Sequence, residues 1–425
     1  PVPRVTRTGQ SPTGAGFTAC RPSGSATPAR TNPRKQLRAN QRPRAGATAS
    51  TPGPIPGCTP MAVLGCVGPS PGAALPGSGT MSSMAVRFPA PLQAGDRIGV
   101  TSPSSGVGDP HRARLGFAVE WVRSRGYEVV VGDCMDGSRH ISAPAPERAR
   151  ELTAMLLEPS IRAVIPPWGG ETAIDLLPLL DWEAIGAGEP TWLIGFSDMS
   201  TLMTPLTLIT GVATLHGNNL MDSPYRVPAP LLSWLDIATM PPGTTFTQAP
   251  PGVHRTGAWD DWTAHPDVTQ HEYTGTGEWV RLDSGGEVDV TGRMIGGCIE
   301  TLCNLMGTPF GDVARFAREH APEGLIVYVE AAEDDAATIC RNLHGMRLAG
   351  FFGGARAVMV GRTSAQDAPS LTQHEAVLDA LGSLDVPIIA DVECGHVPPY
   401  MPIVNGALGR LRSGDAGHEL HQTLA

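Results

Sequence analysis

Thr191-Trp192-Leu193-Ile194-Gly195-Phe196-Ser197-Asp198-Met199-Ser200 is the stretch from which the rest of the chain is read. An apolar run ends in Gly-Phe-Ser-Asp and leads straight into a helical pattern over 201–210. That spacing predicts strand, tight turn and helix, with Ser197 at the turn. A serine in that place is held out of the sheet beside the free N–H groups of the next helix. α/β hydrolases present a nucleophile in this way, but their G-x-S-x-G pattern would need glycine at Asp198. The competing reading is an ordinary helix cap, a role that both serine and aspartate favour.

The 425 residues suffice for two domains with full cores and a tail. Charge is unevenly spread. Residues 1–80 carry nine of the 31 basic residues and no acid, leaving 22 basic against all 41 acidic residues beyond them, a net of −19. A body this acidic is a poor partner for a polyanion, which argues against nucleic-acid binding. Lys35 is the only lysine. With the tail outside the site, Schiff-base chemistry, a Ser-Lys dyad and a P-loop lysine all drop out. The eight cysteines form neither C-x-x-C nor a zinc-finger spacing. They read as reduced, buried thiols of a cytoplasmic protein. No apolar run approaches the length that spans a bilayer.

Residues 1–84 are expected to form a disordered, basic, low-complexity extension, with a native start near Met81 or Met84. Val63-Leu64-Gly65-Cys66 loosely resembles a lipoprotein cleavage box, but the apolar segment before it is too short for a good export signal. From Phe88 onward, strands at 96–101, 127–131, 161–165 and 191–195 alternate with helices at 111–125, 145–157, 172–180 and 201–210. This alternation means βαβ units and a parallel sheet covered on both faces. The pattern breaks over 221–290, which holds Trp234, Trp259, Trp262 and Trp279 and reads as a connection between two domains. It resumes with a helix at 298–306, a strand at 324–330, a helix at 336–348, strands at 357–361 and 386–392 around a helix at 374–384, and a strand pair within 403–411. His418-Glu419-Leu420-His421 falls in the tail beyond and lacks zinc-motif spacing.

Ligands of parallel α/β sheets bind beyond the carboxyl ends of the strands. Three reactive side chains belong there: Ser197, Glu330 and His396. They make a nucleophile, an acid able to orient an imidazole, and a base. Gly169-Gly170 lies at another strand end, where its N–H groups and that of Asp198 can form an oxyanion hole. Trp168 and Gly169 are expected to contact substrate, and His216 to line the same cleft. Each has a plain alternative: Glu330 as one of a group of acids before a helix, His396 as a loop histidine, and Gly296-Gly297 as close packing rather than a phosphate cradle. Cys394 is read as a buried thiol rather than a nucleophile.

Taken in order, Gly195-Phe196-Ser197-Asp198, Gly296-Gly297-Cys298-Ile299-Glu300-Thr301-Leu302, Val329-Glu330 and Gly395-His396 resemble the LD-carboxypeptidase family of serine peptidases. Pro91 to Asp96, Leu176 to Asp181, and Asp391 to Leu411 extend the match, which covers about 88–411. The resemblance implies an α/β fold with a Rossmann-like N-terminal domain (85–220) and a smaller α/β C-terminal domain (291–425), with the site between them. It implies a Ser197-Glu330-His396 triad, an oxyanion hole from the N–H groups of Gly170 and Asp198, a homodimer, and no metal or cofactor. The family includes muramoyltetrapeptide LD-carboxypeptidases and microcin C immunity peptidases. The expected substrate is therefore a murein-type peptide or a peptidyl-nucleotide, with no nucleic-acid or membrane partner. Murein-cleaving members commonly carry arginine before the double glycine, where this chain has Trp168. In the microcin branch an aromatic of the long connection can stack on a nucleobase, which makes Trp259, Trp262 and Trp279 candidates. From another class, the alternative is a non-catalytic peptide- or sugar-binding module, in which His396 would lie far from Ser197.

Overall fold

The computed structural model of the protein describes residues 85–425. The expected disordered extension, the lipoprotein-like box and Lys35 lie outside the described residues. The first half builds β1 (Arg97–Val100), α1 (Arg112–Arg123), β2 (Glu128–Val131), α2 (Ala145–Leu157), β3 (Ile161–Ile165), α3 (Trp182–Ala187), β4 (Trp192–Gly195), α4 (Ser200–Thr210) and β5 (Thr214–His216). These five strands run parallel. β4 is wholly buried and β3 nearly so, as expected of near-continuous apolar runs covered on both faces. α1 presents Ala118, Val119 and Val122 to the core at helical spacing and ends before Gly126, whose φ of 89° suits glycine.

One helix differs from the sequence expectation. Residues 172–180 form only a 3₁₀ turn, Ala173–Leu176. Pro178 cannot continue a helix interior, and the helix forms one step later, where the Asp181 side chain accepts from the Ala184 N–H to cap α3.

The chain continues through α5 (Trp234–Ala238), β6 (Thr245–Gln248), the short pair β7 (Val253–His254) and β8 (Gly275–Thr276), β9 (Val280–Arg281), the long β10 (Val288–Cys298) and α6 (Ile299–Leu302). It then forms α7 (Val313–His320), β11 (Leu325–Glu330), α8 (Ala336–Leu348), β12 (Ala355–Gly361), α9 (Gln373–Leu381), β13 (Ile388–Val392), β14 (Ile403–Asn405), β15 (Leu408–Gly414) and β16 (Gly417–Thr423). Two larger sheets result, in the orders β14-β5-β4-β3-β1-β2 and β6-β16-β15-β10-β11-β12-β13-β9. The 221–290 segment thus supplies both edge strands of the second sheet. Residues 418–421 are part of β16 rather than a tail. The expected 403–411 strand pair is divided: β14 joins the first sheet antiparallel to β5, and β15 joins the second.

The contact between the two sheets explains Gly296-Gly297. A Cβ on Gly296 would strike the Tyr328 carbonyl, and one on Gly297 would come within 2.7 Å of the Ser200 side chain. Ser200 Oγ accepts from the Cys298 N–H at 3.1 Å, and Thr204 donates to the Gly296 carbonyl at 2.7 Å. The glycines therefore let α4 close onto β10, which is the packing role. The buried Asn405 completes the join: it accepts from the Gly296 N–H and the Tyr328 hydroxyl and donates to Thr214. The described cysteines are free thiols, and among the described residues no helix is long and apolar enough to cross a membrane.

Candidate active site

Ser197 follows β4 with φ of +64°, a left-handed conformation unusual for a side-chain-bearing residue. The strain is held from several sides. Asp198 is buried, and its Oδ2 accepts from the Ser104 hydroxyl (2.6 Å) and the Ala173 N–H (2.8 Å), while Oδ1 accepts from Thr201 (3.1 Å). The Asn219 side chain accepts from the Phe196 N–H at 3.3 Å. Gly169 crosses immediately beside the turn: a Cβ there would lie 2.9 Å from Ser197 Cβ and 3.0 Å from its Oγ. Gly170, at φ +150°, packs so tightly on Ser104 and Ser105 that no side chain fits. The N–H groups of Ser197 and Asp198 open the turn, ahead of its Met199 N–H to Phe196 carbonyl bond.

The second sheet supplies the other two groups. Glu330 ends β11 and His396 follows β13, and His396 Nδ1 lies 2.7 Å from Glu330 Oε2. Glu330 is 0% exposed. Gly361 and Gly395 pass so close to its Cβ that side chains at either place would displace it. Burial works to lower the His396 pKa, but the Glu330 carboxylate and hydrogen bond, helped by Glu300 and Asp222, raise it above its ordinary value. Glu300 also fixes the loop that leaves Glu330, because its Oε1 accepts the N–H groups of Ala332, Glu333 and Asp334.

Ser197 and His396 share the wall of a cavity of about 360 Å³ with Trp168, Gly169, Gly170 and Phe196. Ser105, Asn219, Asp222, Trp259 and Trp262 close the rest of it. The arrangement juxtaposes a hydroxyl on a strained turn, an imidazole tethered through its other nitrogen to a buried carboxylate, and backbone N–H groups at a helix start. Those are the parts acyl transfer requires.

Two expected contacts are placed elsewhere. His216 is buried outside this cavity, packed against Phe196 and Tyr328, with Nε2 3.9 Å from Glu330 Oε1. Burial, reinforced by the nearby His396, drives its pKa down to about 3, so it is a neutral neighbour of the acid rather than a substrate contact. Trp279 is also buried, and donates to Glu393 at 2.7 Å. It packs, whereas Trp259 and Trp262 reach the cavity.

Residues the sequence reading passed over include Asp198 as an anchoring carboxylate, Glu300 and Asp222. Arg114 is another. Fully buried, it donates to the carbonyls of Met221, Pro266 and Val268 and lies 5.0 Å from the Trp262 ring. It thereby ties the Trp-bearing loop to α1. Trp262 in turn donates to Tyr225, whose hydroxyl donates to Asp260. Only the position of Asp222 shortly after His216, expected to line the cleft, could have drawn attention to it.

A larger depression, about 540 Å³, runs along the β15–β16 hairpin. Within its lining Arg412 pairs with Glu419, and Ser413 meets the His418 imidazole at 2.8 Å. Cys340, His344 and Asp379 cluster between α8 and α9. There His344 Nε2 meets Asp379 at 2.7 Å and Arg347 Nη2 lies 3.3 Å from its other nitrogen.

Comparison with known proteins identifies the family. Residues 98–217 match the model of the LD-carboxypeptidase N-terminal domain, and residues 291–411 that of the LD-carboxypeptidase C-terminal domain. The chain belongs to the LD-carboxypeptidase family, and so to the serine-type carboxypeptidases. It is 26% identical to the microcin C7 self-immunity protein MccF of Escherichia coli over 331 residues, covering 75% of this chain and 90% of that one. A Bacillus subtilis protein named a probable murein peptide carboxypeptidase is 22% identical over 333 residues, covering 77% and 92%. Among solved structures, MccF in complex with aspartyl sulfamoyl adenosine matches with a TM-score of 0.66 at 24% identity, covering 79% of this chain and 98% of that one. A muramoyltetrapeptide carboxypeptidase from Oxalobacter formigenes matches with a TM-score of 0.56 at 19% identity, covering 77% and 98%. These likenesses establish the two-domain α/β fold.

Proposed function

We propose that this serine carboxypeptidase hydrolyses an amide near the carboxyl end of a small peptide, with Ser197 as nucleophile, His396 as base and then acid, and Glu330 as its orienting partner. The observation that carries the reading is one cavity holding the Ser197 turn and an imidazole whose far nitrogen is 2.7 Å from a buried carboxylate. The glutamate fixes the tautomer that leaves Nε2 free to take the serine proton. Ser197 Oγ adds to the amide carbon, and the N–H groups of Gly170 and Asp198 face the oxygen that gains charge. His396 returns the proton to the departing amine. Water, deprotonated by the same imidazole, then releases the acyl group.

A second substrate reading has its own support. Trp259 and Trp262 offer indole faces to the cavity, and MccF is a homologue whose complex holds an aminoacyl nucleotide analogue. A peptidyl-nucleotide would place its base on these rings. The shared cavity counts against a non-catalytic binding module. The test is incubation with a murein tetrapeptide and with an aminoacyl sulfamoyl nucleotide, read by mass spectrometry. Parent protein should cleave one of them, and Ser197→Ala neither, with folding intact by circular dichroism. Full activity in Ser197→Ala would refute the nucleophile assignment.

A further inference from the structure

Only one oxygen of the buried Glu330 carboxylate is partnered: Oε2, which meets the His396 imidazole at 2.7 Å. Oε1 is buried and has no hydrogen-bond partner among the described residues. Buried carboxylate oxygens are rarely left without a donor, because each gave up water to enter the protein. Facing it is His216, whose Nε2 lies 3.9 Å from Oε1 and is likewise buried without a hydrogen-bond partner.

Strand pairing puts His216 in that place. It ends β5, in register with Gly195 of β4 and Ile403 of β14. Its ring is T-shaped to those of Phe196 and Tyr328, which restricts its rotation. The first sheet thus sends one imidazole toward the acid of the second. Two histidines share the carboxylate, and they differ in charge. Against the pull of burial, Glu330 raises the His396 pKa, whereas burial, and then His396, hold that of His216 down to about 3. A neutral ring offers an N–H dipole without competing for the negative charge, while a bare Nε2 lone pair would repel it.

We propose that His216 is a positioning residue for the proposed triad: its Nε2 carries the ring proton and directs it at Glu330 Oε1, fixing the carboxylate that orients His396. The inference rests on the peptidase reading for the work the triad does, but the tautomer does not depend on turnover. A separation of 3.9 Å is long for a hydrogen bond. Catalytic contacts of this kind tighten when substrate or transition state fills the site.

Two measurements on the full chain test it. Nitrogen NMR of the parent carrying isotope-labelled histidine reads the tautomer, with the His216 signals assigned by their loss in either variant below. At neutral pH the proton should sit on Nε2. A proton on Nδ1, or on both nitrogens, would overturn the proposal. Steady-state kinetics follow, on whichever of the murein tetrapeptide and the aminoacyl sulfamoyl nucleotide the parent cleaves. His216→Phe keeps a ring but has no donor, and should lower kcat about 10- to 100-fold with KM within about twofold, the range of one lost hydrogen bond to a charged group. His216→Gln keeps an N–H at similar reach, and its kcat should stay within about fivefold of the parent's. If the ring only packed between Phe196 and Tyr328, phenylalanine would be the better substitute. That reversed order, or equal kcat in all three proteins, also overturns the proposal. The tautomer is read on the parent, so it decides the question even where one variant folds poorly. A parent that cleaves neither probe yet holds the proton on Nε2 sinks the peptidase reading and leaves the contact with Glu330. Cleavage by a parent with the proton on Nδ1 does the reverse.

Discussion

His396 Nδ1 lies 2.7 Å from Glu330 Oε2, and the glutamate it leans on has no exposed surface. Because Glu330 raises the His396 pKa against the pull of burial, the acid limb of kcat/KM should lie above pH 6.5, with activity lost as pH falls through it and the imidazole takes a proton. Glu330→Gln keeps the shape but lets burial dominate. We expect kcat to fall about 10²- to 10⁴-fold and the residual acid limb to move to lower pH. A pH–rate profile of both proteins measures it, and an unmoved limb would exclude the assigned partnership.

Gly169 reports on the space around the nucleophile. A methyl group there comes within 3.0 Å of both Ser197 Cβ and Oγ and 3.2 Å of the Asp198 nitrogen. Gly169→Ala should therefore displace the hydroxyl by a few tenths of an ångström or more and lower kcat by about 100-fold. The cost in stability should be about 1–3 kcal/mol. Kinetics and urea denaturation on the same preparation separate the two effects. Unchanged kcat would mean that the hydroxyl works from another position.

Asp198 holds the turn rather than the substrate. Its carboxylate accepts three hydrogen bonds from three separate segments, at Ser104, Ala173 and Thr201. Asp198→Ala leaves those buried donors unmatched, and should cost about 2–4 kcal/mol in chemical denaturation as well as activity. A variant as stable as the parent would contradict the anchoring role.

Glu393 gives the protein a stability term that runs opposite to the usual carboxylate. Burial raises its pKa from 4.5 to about 7, against the hydrogen bond from Trp279 and the charge of Arg362. A raised acid takes up a proton on folding, so its contribution is present at low pH and is lost as pH rises from about 4.5 to about 7. Glu393→Gln, whose carbonyl can still accept from Trp279, should gain roughly 1–3 kcal/mol on the parent between pH 5 and pH 8. Thermal melts at the two pH values measure the difference. A constant gap would show that Glu393 is ionised throughout.

The sheet-forming strands and most of the helices could be read in advance because their residues are apolar at strand or helix spacing, as over 145–157, where the expected and observed helix coincide. The exceptions have local causes. At 172–180 the apolar periodicity outweighed Pro178 in the reading, but backbone chemistry decided the fold. β16 was hidden because His418, Glu419, His421 and Gln422 are polar, and they are drawn into the sheet by pairing with β15 and β6 rather than by hydrophobicity. Ser197, Glu330 and His396 were recognisable since strand ends and chemical type restrict the choice. Asp222, Arg114 and the Asp198 carboxylate act only through partners far away in sequence, and His216 turned out to be buried behind the site, which no spacing discloses.

β14 also makes the first sheet depend on residues near the end of the chain. Residues 403–405 complete the edge of the first sheet next to β5, after every strand of the second sheet except the β15–β16 hairpin has been synthesised. Until they emerge, the strand that follows the Ser197 helix has an unpaired flank, and Asn405 cannot yet bridge Thr214, Gly296 and Tyr328. Chains released before residue 405 would contain Ser197, Glu330 and His396 yet lack the bridge that joins their two sheets, so we expect the proposed activity only once translation is almost complete.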